Sequence, residues 1–313
     1  MDLGNFVQEM IVLYLIGLAG FFGRKKGILG KETNQVLTQL ILYITLPSLI
    51  LYTLDIPFSI TAIEEFVWLA AMSIYIIVIA SLIGIMMRRK SGLQGNKGVV
   101  YESLIIFGNQ GFIGYAVSYM LFQEQGVIYL TMFNVCYLIH IWAYGIYLFT
   151  RNAQGIPWRK IWFNPGIVST LIGFIIFITP LTWPVFIASG FESIGKTTIP
   201  LSMIVIGSLV ANVKVKDLPQ LLKNRLLWKA AFARLILIPI CLLPFIALPI
   251  PFTLLVIAVL VTGMPAAPTT SLYAQKFGGD TLSASLGTLL TTILCIGSLP
   301  LLYALSQFLY ELK

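Results

Sequence analysis

Two apolar stretches of this chain are interrupted near their middles by glycine, proline and amide residues. Gly108-Asn109-Gln110-Gly111-Phe112-Ile113-Gly114 interrupts the first, and Gly263-Met264-Pro265-Ala266-Ala267-Pro268-Thr269-Thr270 the second. A helix broken inside a bilayer exposes N–H and C=O groups that cost several kcal/mol each unless protein, water or a ligand pairs them. Paired breaks in corresponding halves of a membrane protein mark a transporter's binding site. The fold must therefore bring partners to both breaks.

The composition supports a membrane setting. The chain is 58% hydrophobic and 10% charged, whereas soluble domains carry about 25% charged residues. The reading is an all-α integral membrane protein with ten spans, near 5–22, 34–54, 63–87, 98–122, 126–150, 165–180, 185–211, 228–248, 252–276 and 281–309. The N-terminus lacks a basic n-region and a small-residue cleavage site, so the first span is expected to be retained.

The net charge of +8 is no nucleic-acid footprint, because the basic residues lie in short loops. Alternate connections hold every lysine and arginine except Lys196, Arg234 and Lys313, while Asp55, Glu64, Glu65 and Glu124 fall in the others. This bias predicts cytoplasmic basic loops and both termini outside. Cys136, Cys241 and Cys295 fall singly in apolar spans and form no disulfide framework.

The two halves resemble each other. Leu15-Ile16-Gly17 recurs as Leu171-Ile172-Gly173, Thr45-Leu46-Pro47 as Thr198-Ile199-Pro200, and the break at Gly108 as that at Gly263. The order is kept and the offsets nearly agree. Residues 1–150 and 164–313 then form two five-span repeats joined by a short cytoplasmic connection, 151–163. An odd number of spans per repeat inverts the second copy, giving a pseudo-two-fold axis in the membrane plane.

If the fourth and ninth spans unwind and cross, two half-helix N-termini converge, each with roughly half a positive charge and free N–H donors. Such a region suits an anion, most simply a carboxylate. Asn109, Gln110, Gly111 and Gly114 at the first break and Pro265, Thr269, Thr270 and Ser271 at the second are the substrate-binding candidates. Gly108, Gly263 and Pro268 shape the breaks, and Pro47 and Pro200 are expected to kink the second and seventh spans. The alternative is that these glycines and prolines serve only helix packing.

Ionisable groups inside a membrane are functional candidates by default. Glu192 and Lys196, four apart, read as a structural ion pair or as a relay. Glu102 and Arg234 lie near cytoplasmic span ends and are expected to snorkel. His140 reads as a hydrogen-bonded core residue, although it could titrate near neutrality. There is no HExxH, Walker A or GxSxG sequence, which speaks against an enzyme and against direct ATP drive. Trp142, Trp158, Trp162, Trp183 and Trp228 read as interfacial anchors.

Over essentially its whole length the chain resembles the auxin efflux carrier family in its short microbial form. The resemblance rests on Gly108-Asn109-x-Gly111-Phe112-x-Gly114, Asn134 with Trp142 and Gly145, Asn164-Pro165-Gly166, Pro200 through Gly207, Pro265-Ala266 through Ala274-Gln275 with Gly278, and Thr291-Thr292 through Pro300. It implies two inverted five-span repeats with crossing, broken fourth and ninth helices, similar to bile-acid sodium symporters. It also implies a scaffold of the first, second, sixth and seventh spans, and elevator-type transport of organic acids such as auxins, malate or malonate. Asn109 matches the polar position expected to contact a carboxylate, Pro265 matches the Pro opening the second crossover, and Asn134 joins His140 as a relay or coupling candidate. The family often has Pro where this chain has Ala116, so the first break must rest on its glycines and on tertiary contacts.

The expected function is secondary or facilitated transport of small organic anions across the plasma membrane. A receptor that keeps the fold but only binds ligand is the alternative. No cofactor or metal is expected. Na+ or H+ coupling, or neither, fits the sequence, and the expected partners are the substrate, the lipid bilayer and a second copy in a homodimer.

Overall fold

The computed structural model describes residues 3–55, 60–150, 165–179, 181–211, 218–277 and 279–313. The connection 151–163 with Arg151, Trp158, Arg159, Lys160 and Trp162, and also Asn164, Lys214, Lys216 and Gly278, lie outside them. So do the side chains of Trp142 and Gln275.

The described residues are helical, with no strand among them beyond one isolated bridge. In chain order we label α1 Leu3–Lys25, α2 Glu32–Thr53, α3 Ile60–Ser91, α4 Gly95–Ile106, α5 Gln110–Thr150, α6 Pro165–Ile178, α7 Val185–Val210, α8 Arg225–Ala247, α9 Phe252–Thr262, α10 Thr269–Lys276 and α11 Thr281–Glu311. Six of these, α2, α3, α5, α7, α8 and α11, are long and apolar enough to cross a bilayer. The ten spans read from the sequence, with the fourth and ninth broken, are thus matched only in part by helices of that length. The fourth and ninth spans are split into shorter pieces, and α6 has only 14 residues, about 21 Å of helix against a hydrocarbon core of about 30 Å.

Helix α5 is not one rod. Phe122 (φ −135°, ψ 19°) and Gln123 (φ 52°, ψ −135°) are non-helical. The Tyr115 hydroxyl lies 3.2 Å from Thr131 Oγ1, yet sixteen helical residues would hold them about 24 Å apart. The chain therefore folds back at residues 122–123, where the sequence places the end of its fourth span.

Proline distorts two more helices. A π-turn over Ile41–Thr45 precedes Pro47, and another over Ala233–Leu237 precedes Pro239. Proline lacks an N–H and its ring pushes on the carbonyl four residues back. Those carbonyls, of Tyr43 and Leu235, fall inside the two π-turns, which widen the helix to take the ring. In α7 the break sits at Thr197, three residues before Pro200.

The surface, unlike that of a soluble domain, carries long apolar stripes. Ile11, Leu15, Leu18 and Phe22 form an exposed stripe along α1, and Val67, Ile74, Val78, Leu82 and Met86 form another along α3. The opposite face of α3 buries Leu69, Met72, Ile76 and Ala80. Meanwhile Ser73, Thr131, Thr198, Ser202 and Ser208 are fully buried. Continuous exposed apolar stripes of this extent need lipid to cover them.

Contacts group the chain into two units. The first comprises Met1–Val67, Gly111–Leu138 and Trp158–Asn212, and the second Trp68–Gln110, Ile139–Pro157 and Val213–Lys313. The first unit gathers α1, α2, α6 and α7 with the folded-back part of α5. Within it α1 and α7 meet backbone to backbone, since a Cβ on Gly207 would strike the Gly17 carbonyl and one on Gly20 the Ile204 carbonyl. On α6, Gly173 lets Leu54 approach, and a Cβ there would sit 2.7 Å from Leu54 Cδ1. Small residues at such crossings replace a hydrophobic driving force that lipid removes.

The second unit is built around α9. Every residue from Leu254 to Thr262 is buried, as an all-round apolar helix requires. The packing makes a checkable distinction among glycines. Gly207→Val should lower stability by roughly 1–3 kcal/mol through overpacking, whereas Gly190→Ala, with open space around it, should be tolerated. Thermal unfolding of the two variants in detergent separates these outcomes.

Candidate functional site

Helix α4 ends where Phe107 turns extended (φ −96°, ψ 117°), and α9 ends at Gly263 just before Pro265, which has no N–H to continue a helix. The two interruptions then pair with each other. Asn109 N donates to Pro265 O at 2.6 Å and Ala267 N to Phe107 O at 2.9 Å. Gly108 and Ala266 thereby form a short antiparallel bridge. Each break thus supplies the hydrogen bonds the other lacks, with only a few residues in extended form. Beyond the bridge the chain re-enters helix at Gln110, in a π-turn to Gly114, and at Thr269, after Pro268.

Neighbouring side chains fix this bridge. Ala266 N donates to Thr291 Oγ1 at 3.0 Å, and that hydroxyl in turn donates to Gly287 O at 2.9 Å within α11. The Ser103 and Thr270 hydroxyls lie 2.9 Å apart, joining α4 to α10.

The carbonyl ends of α4 and α9 are held by one side chain. Arg234, 2% exposed, donates from Nε to Met264 O at 2.9 Å and from Nη1 to Ile106 O at 2.9 Å and Ile105 O at 3.5 Å. Its Nη2 donates to Thr262 O. The guanidinium also packs on Gly108, where a Cβ would collide with Nη2. Gly108 is therefore required less for backbone freedom than for this approach. The expectation that Arg234 snorkels is wrong, because the freed carbonyls of two helix ends replace its water. A donor-only planar group is well suited to that carbonyl-rich setting.

Arg234 could have been found in the sequence. It is one of three cations outside the basic loops, it has no carboxylate three or four residues away in α8, and it stands five residues beyond Lys229. That is about 7.5 Å deeper along a helix.

Glu102 also departs from the snorkelling expectation. It is fully buried, pairs with Arg88 Nε at 2.9 Å and accepts from the Tyr144 hydroxyl at 2.6 Å. Tyr144 stacks on His140, with ring centroids 5.1 Å apart and planes at 9°. His140 Nε2 lies 3.2 Å from Ser81 Oγ, and its ring lies 5.6 Å from that of Phe107. The histidine is thus half-buried, within hydrogen-bond reach of Ser81, beside the first break.

A family model described as membrane transport protein matches residues 5–303. The chain belongs to this family, that of the auxin efflux carriers. An uncharacterized transporter of Methanocaldococcus jannaschii is 28% identical over 211 residues, 63% of this chain and 66% of that protein. The match thus spans just under two thirds of the relative's length.

The remaining candidates fall into two groups. Asn109 and Gln110 are both buried at the bridge, and Gln110 Oε1 has no hydrogen-bond partner among the described residues. Gly111 has open space around it. Thr269 and Ser271 are half-buried at the start of α10, where Ser271 N donates to Pro268 O at 3.0 Å, and the Thr270 hydroxyl is engaged by Ser103. Ala116 lies within helix beyond the π-turn, and the first break rests on Gly108 and the pairing with Pro265 instead.

The other group belongs to the first unit. Asn134 is buried, one turn after Thr131, and its Oδ1 has no hydrogen-bond partner among the described residues. Lys196 pairs with Glu192 at 2.6 Å and with Glu124 at 3.5 Å. Tyr52 donates to Glu124 at 2.8 Å and its ring lies under the Lys196 ammonium. All three charged side chains are exposed. This is a surface network at the fold-back of α5, not a deep ion pair.

Two substitutions test the bridge. Thr291→Val removes the acceptor for the buried Ala266 N–H and should cost about 1–3 kcal/mol. Gly108→Ala must displace the Arg234 guanidinium and should destabilise more. Thermal unfolding with intact secondary structure at low temperature is the measurement.

Proposed function

We propose that this transporter moves small organic anions, carboxylates of the size of malate, malonate or an auxin-like acid, by binding them at the crossover. The observation that carries this reading is the placement of Arg234. Two helix C-termini bring about half a negative charge each, and two N-termini about half a positive charge each. A single guanidinium on both C-termini cancels the negative poles. The N-terminal poles at Gln110 and Thr269 then remain as a net positive field, together with the amides of Asn109 and Gln110. An anion is favoured there without a side-chain cation of its own.

The same reading takes the chain as two inverted repeats, 1–150 and 164–313, with alternating access by elevator-type movement in the plasma membrane and both termini outside. Within the first unit, α1 packs on α7 and α6 on the end of α2. A two-fold relation between repeats exchanges those two pairs. The gathering of the first, second, sixth and seventh spans into one contact unit, together with residues 111–138, supports a scaffold built on those four spans.

Uptake into proteoliposomes tests the function. Radiolabelled mono- and dicarboxylates should accumulate saturably and show counterflow, and isosteric neutral amides should compete at least tenfold less well. Equal competition by the amides would overturn the anion assignment. Asn109→Ala should raise KM about tenfold, the equivalent of one charge-assisted hydrogen bond near 1.5 kcal/mol, and an unchanged KM in a folded variant removes Asn109 from the site.

A further inference from the structure

Helix C-termini and unwound carbonyls in broken transporter helices commonly coordinate the driving cation. Here the carbonyl oxygens of Ile105, Ile106, Thr262 and Met264, from the ends of α4 and α9, all accept from the guanidinium of Arg234, which lies among them. We propose that Arg234 is a resident cation standing where an alkali ion would otherwise bind, so that this protein moves its substrate without requiring Na+ or K+.

The chemistry of the cage fits either occupant. Backbone carbonyls replace the hydration shell of an alkali ion in selectivity filters, and the same oxygens accept from a guanidinium, which has donors only. The difference lies in release. An ion can leave with the substrate and so transmit a gradient, whereas a side chain on α8 stays within reach of its carbonyls and carries its charge at every working pH. The surrounding sequence is built for this occupant. Gly108 leaves room for Nη2, since a Cβ there would collide with it. The π-turn Ala233–Leu237 ahead of Pro239 sets the register of the arginine on α8. A neutral residue at 234 would leave several polarised oxygens facing an empty, buried space, a defect that a small cation can repair.

This inference rests on the transporter reading only for its consequence in transport; the ion-binding part is measured without transport. Purified protein is heated in NaCl, KCl or N-methyl-D-glucamine chloride at one ionic strength. The wild type should unfold at the same temperature in all three. Arg234→Ala should unfold earlier in N-methyl-D-glucamine and be restored saturably, by at least about 3 °C, by Na+, K+ or added guanidinium. Arg234→Lys keeps a tethered charge and should respond to none of them.

A wild type that is stabilised by Na+ or K+, or an Arg234→Ala protein indifferent to every cation, overturns the proposal. Should the alanine variant not fold, the lysine variant and the wild type still decide it, because an alkali-ion response in either contradicts a filled cage. In proteoliposomes, substrate uptake by the wild type should be equal with and without a Na+ gradient. Absence of any uptake would count against the transport reading while leaving the thermal result to stand.

Discussion

The constraint on which the structure depends is the pairing of backbone groups at two places where apolar helices stop inside the protein. Two broken helices in lipid would each be untenable alone, at several kcal/mol per exposed group. Crossing lets one break satisfy the other through the Asn109–Pro265 and Phe107–Ala267 hydrogen bonds. The rest of the second unit follows from holding that crossing. Helix α9 is buried on all sides, Thr291 fastens Ala266 from α11, and Ser103 meets Thr270 across the join.

Charge balance at the crossing is the second consequence. Opposed half-helices place like poles together, and the C-terminal pair is the more demanding because its carbonyl oxygens face one another. One buried guanidinium answers both ends, and burial of that charge is made tolerable by the carbonyls it binds. Removal of either partner would leave the other uncompensated. The arginine and the breaks are thus one arrangement, in which Gly108 supplies the space. Nearby, buried Glu102 on the same half-helix joins half-buried Arg88 of α3 and Tyr144 of α5 in a separate polar group, and the stacking of His140 on Tyr144 ties it to the first break.

Much of this was legible in the residues. The two interruptions, the helical intervals around them and the kinks at Pro47 and Pro200 follow from apolar length and from the missing N–H of proline. His140 was read as a hydrogen-bonded residue of an apolar helix, and it lies half-buried 3.2 Å from the Ser81 hydroxyl. The reading failed where it judged a charge by its distance from a span end. Arg234 and Glu102 looked close enough to reach water, but their partners come from distant sequence, more than a hundred residues away for Ile106 and about forty for Tyr144. The Glu192–Lys196 pair looked buried by its position in an apolar run, yet it lies on the surface with Glu124. Its partner Glu124 stands at the fold-back of α5, where Gly126 leaves room for the Ser118 carbonyl.

The sequence by itself determined the membrane class of the chain, the family to which it belongs and the positions of both breaks, because hydropathy and helix-breaking residues act locally. Only the tertiary structure decided what satisfies those breaks. Hydrogen-bond partners of unwound backbone are chosen by which helices cross, and crossing is a property of packing between segments some 155 residues apart. For the same reason Arg234, a residue that local reading set aside, became the ion at the centre of the crossing.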